Sequence, residues 1–458
     1  MSAYVTTNPT TGVTEREFAL LSDDEIDRLA QRSATGHERW RAVPATERAD
    51  TLARIADLYE KRADELAAAI TTEMGKVTKE AAGEVQLAAG IYRWYAEHGP
   101  DLLVDEPLDP QGADESLVQH RPIGPLVGVM PWNYPYYQVA RFVAPNLMLG
   151  NSIILKHASI CAGSSALMAE VVHEAGVPED AYINAYANSD QIATLLENDA
   201  VRGVSLTGSE KAGAAVAEVA AKNLKKAVLE LGGSDPFVVL DTADMSRLIK
   251  VASRARLSNT GQACNSPKRF IVPDELYDEF VDGLVQAFDD AVVGDPTDAD
   301  TKVGPLSSVT ARDTVAQQVQ TAVKQGATLR TGGTALDRDG AFLQPAVLTD
   351  ITPEMDAYSE EIFGPVAMVY RYGSVDEAVQ VANDVQFGLS GSVWGTDLDK
   401  AKEVADRLDV GMAYVNEHGT TLPGLPFGGV KRSGFGRELG RWGMGEFVNT
   451  RLRRTSSR

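Results

Sequence analysis

Between residues 124 and 240, short apolar runs at 126–130, 152–156, 182–187, 203–206, 227–231 and 237–240 alternate with helical patterns at about 164–175 and 209–222. Runs of this length suit buried strands, and two parallel strands of one sheet must be joined by a crossover, usually a helix. The alternation predicts βαβ units and a mostly parallel sheet. In open sheets of that kind ligands sit at the carboxyl ends of the strands, so chemistry is expected where the runs end.

Upstream, residues 23–98 read as consecutive amphipathic helices. Leu52, Ile55, Ala56, Leu58 and Tyr59 recur at helical spacing, with Glu60-Lys61-Arg62 facing solvent. The stretch 99–116 carries Gly99-Pro100, Pro107, Pro110 and Gly112 and reads as a loop ahead of a short strand at 117–120. Downstream, a strand at 269–272, helices at 275–292 and 308–326, and segments at 366–370, 374–383, 391–394 and 411–416 predict a second α/β domain. A chain of 458 residues is about three times a common domain of ~150 residues, which allows two large domains or three smaller ones.

Composition narrows the function classes. With 43 Lys and Arg against 65 Asp and Glu, the formal charge is −22. Such a field repels phosphate backbones and anionic lipid, so neither nucleic acid nor a membrane surface is an expected partner. No apolar run approaches a membrane span, and the amino terminus lacks the pattern of a signal peptide. Two cysteines, Cys161 and Cys264, cannot build a disulfide framework and point to a reducing, cytoplasmic compartment. The six histidines show no metal-ligand spacing, and no metal site is expected.

Several residues could carry chemistry. Cys264 lies among Gly261, Gln262, Asn265 and Ser266, and the following Lys268 and Arg269 could favour its thiolate. A small loop hydrophobe would look the same. Cys161, at a helix start, reads as structural. Glu230 closes an apolar strand before Gly232-Gly233, where partial burial would raise its pKa and suit a general base. A strand-end glutamate in water is the alternative. Asn133, between Pro131 and Pro135, could donate to an oxyanion or simply occupy a turn. Neither a Gly-x-Gly-x-x-Gly fingerprint nor a P-loop is present. Thr207-Gly208-Ser209 instead runs from a strand into a helix, whose first amides could meet a phosphate or just be capped.

In order along the chain, Pro131-Trp132-Asn133, Ile154-Leu155-Lys156, Thr207-Gly208-Ser209, Leu229-Glu230-Leu231-Gly232-Gly233, Gly261-Gln262-Ala263-Cys264, Glu361-Ile362-Phe363-Gly364-Pro365 and Pro426-Phe427-Gly428-Gly429 resemble the motifs of the aldehyde dehydrogenase superfamily. The resemblance covers nearly the whole chain. It implies an α/β fold with a Rossmann-like cofactor domain (1–101 and 122–231), a catalytic domain (232–425), and a small β oligomerisation element with the C-terminal segment (102–121 and 426–458). A homodimer or homotetramer is implied. Cys264 would attack the aldehyde, Asn133 would hold the oxyanion, and Glu230 would activate water against the thioester. NADP or NAD would contact Trp132, Lys156, Ser159, Thr207, Gly208, Ser209, Gly232, Glu361 and Phe363.

Members of this superfamily that prefer NAD often carry Glu three residues after the lysine; here Ser159 stands there. Loss of that repulsion leaves Lys156 free to meet a 2′-phosphate and implies that NADP is accepted. The sequence is most similar to the succinate-semialdehyde dehydrogenase branch. That likeness implies that Arg141 binds a substrate carboxylate and that Thr421 and Tyr137 line the pocket. Ser258 replaces a second arginine of the branch, a departure that leaves room for uncharged aliphatic or aromatic aldehydes. A non-catalytic binding relative is the alternative from another class, and a CoA-acylating enzyme a third.

Overall fold

A computed structural model describes residues 4–457. Its amino-terminal half opens with a two-stranded hairpin (Tyr4–Thr7 with Thr14–Phe18) and four helices, α1 (Asp23–Arg41), α2 (Ala45–Lys61), α3 (Ala63–Met74) and α4 (Thr78–Leu102). Ser22 starts α1 through a capping box. Its backbone N–H donates to Glu25 at 2.8 Å, and its hydroxyl accepts from the Glu25 N–H at 3.4 Å. Ile26, Leu29, Ala30 and Trp40 of α1 face inward, as the helical period requires.

Alternating elements then follow: α5 (Tyr137–Leu149), α6 (Ala162–Glu174), α7 (Ser189–Glu197) and α8 (Glu210–Lys222) connect the strands of a six-stranded sheet. Its spatial order is Gly434–Phe435, Lys226–Glu230, Gly203–Thr207, Pro125–Met130, Ser152–His157 and Tyr182–Asn184. All neighbours are parallel except Gly434–Phe435, which lies antiparallel on Lys226–Glu230. Five of the six residues of Pro125–Met130 are buried, as expected of a strand covered by helices on both faces.

A second, seven-stranded sheet runs Thr328–Thr331, Ala346–Thr349, Val366–Tyr372, Pro267–Pro273, Asp235–Val239, Ser390–Trp394 and Met412–Val415, antiparallel only at its first pair. Helix α9 (Met245–Leu257) joins two of its strands. A third sheet pairs Val448–Thr455 with Glu115–Pro122, antiparallel from Val448↔Pro122 to Thr455↔Glu115, and adds Glu106–Pro107. Among the described residues, no helix is long and apolar enough to cross a membrane.

Some expectations need correction. The strand expected at 182–187 ends at Asn184, because Asn188 caps α7 and the chain must turn before it. The strand expected at 237–240 starts earlier, at Asp235, whose polar side chain masked it. The loop expected from 99 begins only after Leu102. Gly99 is buried where α4 crosses α5, and a Cβ there would lie 2.4 Å from Met148 Cγ. The helix expected over 275–292 stops at Asp289. The amino-terminal hairpin was not anticipated, since Thr14–Phe18 is polar and almost wholly exposed and shows no alternation.

Candidate active site

Cys264 lies on the link between α9 and the strand Pro267–Pro273. The link begins with a tight turn, Ser258–Gly261, in which Asn259 (φ 51°) and Thr260 (φ 55°) are left-handed. Non-glycine residues hold that conformation at a cost of about 1–3 kcal/mol each, so the surroundings must over-determine it. They do. Glu80 on α4 accepts from the Ser258 hydroxyl and the Asn259 N–H, both at 2.9 Å. Asn259 Nδ2 donates to the carbonyls of Asn133 (2.8 Å) and Gln262 (3.1 Å). Buried Arg256 donates to the carbonyls of Gly261 (3.1 Å), Ile362 (2.8 Å) and Val366 (2.6 Å).

Asn133 follows the strand Pro125–Met130, at a carboxyl end as the sheet rule requires. Its Nδ2 donates to the Gln262 carbonyl at 3.0 Å, while its Oδ1 accepts from Gln138 at 3.2 Å. These partners fix which way the amide faces and leave one N–H available. Its backbone carbonyl also accepts from buried Lys76 at 2.9 Å. Lys76 pairs with Glu84, which in turn accepts the N–H groups of Tyr136 (2.9 Å) and Tyr137 (3.2 Å). Lys76, Glu80 and Glu84 were not singled out in the sequence. The available signal was the four-residue spacing of Glu80 and Glu84, which puts both carboxylates on one side of α4, with Lys76 two residues before the helix.

Glu230 is the last residue of Lys226–Glu230 and is fully buried, with neither carboxylate oxygen hydrogen-bonded. Burial pushes its pKa well above the usual carboxylate range, and Glu438 adds to the rise, against Arg141 and Arg437. Gly428 (φ 152°) passes so close that a Cβ there would lie 2.6 Å from Glu230 Oε1. Gly232 and Gly233 serve similarly: a Cβ would meet Glu361 at 2.3 Å in the first case and the Cys264 carbonyl at 2.7 Å in the second. Glu361 accepts from the Gly233 N–H at 3.0 Å and lies 3.3 Å from Lys268 Nζ.

Cys264 lines two cavities. One, of about 270 Å³, is also lined by Trp132, Asn133, Thr207, Glu230, Glu361 and Phe363, with Gly208, Ser209 and Gly232 at its edge. Trp132 and Phe363 meet edge to face at 5.8 Å. The Thr207 hydroxyl is buried without a partner. Ser209 caps α8, its hydroxyl accepting from the Ala212 N–H at 3.3 Å, and the Gly208 N–H is already used by the Glu230 carbonyl at 3.0 Å. The other cavity, of about 210 Å³, has Tyr134, Tyr137, Asn265, Thr421 and Phe427 in its wall. It shares Tyr134, Asn265 and Gly419 with an adjacent, wider vestibule of about 650 Å³.

The thiol sits at the floor of these cavities, and burial pushes its pKa up to about 11, opposed first by Arg141 and then by Lys268. Arg269, expected to help, is turned away. Its guanidinium donates to the carbonyls of Ser234 (2.8 Å), Val381 (2.6 Å) and Ala382 (2.8 Å). Lys268 Nζ donates to the carbonyls of Ala263 (2.8 Å) and Cys264 (2.5 Å). Cys161 is buried and lines neither cavity.

Four residues expected to bind substrate are placed differently from one another. Tyr137 and Thr421 line the 210 Å³ cavity, their hydroxyls 3.3 Å apart. Ser258 lines the outer vestibule and is bonded to Glu80. Arg141 does not reach the wall of that cavity: it is wholly buried, 2.6 Å from Glu438, and donates to the Tyr137 hydroxyl at 3.2 Å from behind. Lys156 is the second-last residue of Ser152–His157 and Ser159 follows just beyond it, both outside the two cavities. Lys156 is depressed by burial and lies 5.7 Å from the Tyr4 ring centre, and Ser159 is exposed.

A carbon atom held against Cys264 would have a compartment on either side, one with an aromatic corner and a helix start, the other opening outward. That division suits an oxidoreductase working through a thiol. The chain belongs to the aldehyde dehydrogenase family, whose sequence profile matches residues 2–452. It is 52% identical to the succinate-semialdehyde dehydrogenase (NADP(+)) of Deinococcus radiodurans, over 98% of this chain and 94% of that one. It is 43% identical to the enzyme of the same name from Mycobacterium avium, over 97% and 95%. Its fold superposes with a TM-score of 0.96 on the crystal structure of succinic semialdehyde dehydrogenase from Streptococcus pyogenes in complex with NADP+, at 41% identity over 98% and 99%.

Proposed function

We propose that the protein oxidises succinate semialdehyde to succinate with NADP, through a thioester on Cys264. The observation that carries the mechanism is that one thiol borders both cavities, with Asn133 and Glu230 in the wall of one of them. The relatives named above supply the substrate and the cofactor.

The residues present fit a nicotinamide dinucleotide. Thr207 offers a buried, unpartnered hydroxyl at the cavity wall, Trp132 and Phe363 an aromatic corner, and α8 its first turn. Glu361 and Gly232 would lie beside the ribose and ring, and Lys156 and Ser159 would face the adenosine ribose. When bound, the dinucleotide supplies the hydride acceptor.

The chain's own residues do the rest. The Cys264 thiol gives up its proton to solvent water, and the thiolate sulfur bonds to the aldehyde carbon as the carbonyl π bond opens, leaving its oxygen anionic. The free Asn133 N–H and the Cys264 backbone N–H hold that oxygen, a stabilisation of the kind that costs about 10²–10³ in rate per donor removed. After oxidation the carbon is a thioester. Glu230 takes a proton from water as its oxygen attacks that carbon, the carbon–sulfur bond breaks, and the thiolate returns. The unpaired, desolvated carboxylate of Glu230 is suited to accept that proton.

The domain division follows the sheets: 122–231 supplies five strands of the first, and 232–425 all of the second. The exposed strand Val448–Thr455 paired with Glu115–Pro122 suits an oligomerisation element of a homodimer or homotetramer. Both cysteines are free, which suits the cytoplasm.

Reduced-nicotinamide absorbance with succinate semialdehyde and with butanal, each with NADP and NAD, tests the reading. A kcat/KM at least about tenfold higher for the semialdehyde, a margin of ~1.4 kcal/mol, supports it. Equal rates with both aldehydes, or an NADP rate below about a tenth of the NAD rate, contradict it.

A further inference from the structure

We infer that Arg247, Lys250 and Arg254 form a cationic rim at the substrate entrance that captures the carboxylate end of an anionic aldehyde before it reaches Cys264. This inference rests on the anionic substrate proposed above.

The three residues share one exposed side of α9, at helical spacings of three and four, while Leu248, Ala252 and Leu257 bury the opposite side. All three line the 650 Å³ vestibule, which shares Tyr134, Asn265 and Gly419 with the inner cavity. An aldehyde entering by this route passes them.

In a chain of charge −22, none of the three has an ion-pair partner among the described residues. Three other exposed arginines in the same half of the molecule are paired: Arg330 with Asp282 (3.0 Å), Arg371 with Asp278 (2.8 Å) and Arg407 with Asp376 (2.6 Å). The nearby Asp244 carboxylate is turned into the cap of α9, accepting from the Arg247 N–H at 3.0 Å and the Ser246 hydroxyl at 2.7 Å. The vestibule holds one carboxylate, Glu417, and its oxygen accepts from the Thr420 hydroxyl. His418 there is uncharged at neutral pH, since burial and then Lys268 push it down to about 4. Three cations therefore face one carboxylate.

The inner cavity offers no competing charge. Its lining includes no Lys or Arg, because Arg141 is held behind Tyr137 by Glu438. Ser258, where the related branch is expected to carry an arginine, also faces the vestibule, and Arg254 lies one helical turn before it. The cationic recognition absent at Ser258 is thus available further out. Exposed charges act over about 8 Å at physiological ionic strength. A cleft lined by one sign of charge raises association of an opposite charge by about 10–10³-fold, and salt erodes the gain.

The test measures kcat/KM for succinate semialdehyde and for butanal between about 20 mM and about 500 mM salt, where screening goes from weak to nearly complete. The wild type is compared with the triple variant Arg247→Gln, Lys250→Gln, Arg254→Gln and with Arg254→Gln alone. In the wild type, salt should lower the value for the semialdehyde about tenfold more than that for butanal. At low salt the triple variant should lose about tenfold more on the semialdehyde than on butanal and show a flat salt response, with Arg254→Gln intermediate. Butanal turnover reports whether each variant is folded, and the single variant decides if the triple one is not. A wild-type preference for the semialdehyde that survives the substitutions with its salt slope intact overturns the rim alone. A wild type that treats both aldehydes alike overturns the substrate reading, and the rim with it.

Discussion

Arg141 Nε lies 2.6 Å from Glu438 Oε2, with both side chains buried one layer behind the wall that Tyr137 presents to the inner cavity. The pair acts on Glu230, the proposed base, whose carboxyl is pushed up by burial and then by Glu438 and pulled down by Arg141. Burial raises the proton affinity of this proposed base most, and the ion pair modulates it while supporting Tyr137.

Glu438→Gln removes the like charge, so Glu230 should titrate at lower pH. The rising limb of kcat against pH should move toward acid. Arg141→Met should move it the other way and, by leaving Glu438 buried without a cationic partner, destabilise the fold by about 3–5 kcal/mol. A pH–kcat profile and a denaturant titration of each variant check both statements.

Glu80→Ala releases the left-handed turn at Asn259 and Thr260, which Glu80 holds through two hydrogen bonds. Cys264 would then be presented in several orientations. A fall in kcat of about 10²-fold is expected, because a displacement of about 1 Å at a reacting group costs that much. The iodoacetamide reaction rate at Cys264 should change in parallel, which a loss confined to global stability would not produce.

Ser159 is exposed and beyond hydrogen-bond reach of Lys156, whose ammonium has no carboxylate partner among the described residues. Ser159→Glu would bring a carboxylate to where the 2′-phosphate is proposed to sit. The kcat/KM with NADP should fall by about 10-fold or more while that with NAD is held or improved. Paired assays with the two dinucleotides read this directly.

Asp235 is buried at the start of a central strand of the second sheet, hydrogen-bonded to Ser390, and burial pushes its pKa up from 3.8 to about 7. The folded state therefore binds a proton that the unfolded chain has released. This contribution to stability is fully present below pH 3.8 and is lost as pH rises to about 7. Asp235→Asn should remove that slope, so its melting temperature should rise relative to wild type between pH 4 and 7. Thermal melts across that range test the sign.

What the sequence disclosed was local. The strand-to-helix step at Thr207-Gly208-Ser209, the strand end at Glu230 and the polar loop around Cys264 are each written in a few adjacent residues, and the structure puts all of them at one cavity. The parallel sheet was legible because burial on both faces leaves continuous apolar runs. Residues whose placement depends on distant parts of the chain were not legible. Arg141 looks available in sequence, and only folding brings Glu438 against it. Lys268 and Arg269 are neighbours, yet alternation along a strand sends one to the carbonyl of Cys264 and the other to those of Val381 and Ala382. The clamp of Lys76, Glu80 and Glu84 joins three segments and has no motif of its own.

The central claim is that the Cys264 sulfur becomes covalently acylated. Peptide mass spectrometry of Glu230→Gln, quenched after mixing with succinate semialdehyde and NADP, should find a succinyl group on the peptide containing Cys264, and Cys264→Ala should form no reduced nicotinamide. An unmodified Cys264 peptide together with wild-type turnover by Cys264→Ala would contradict it.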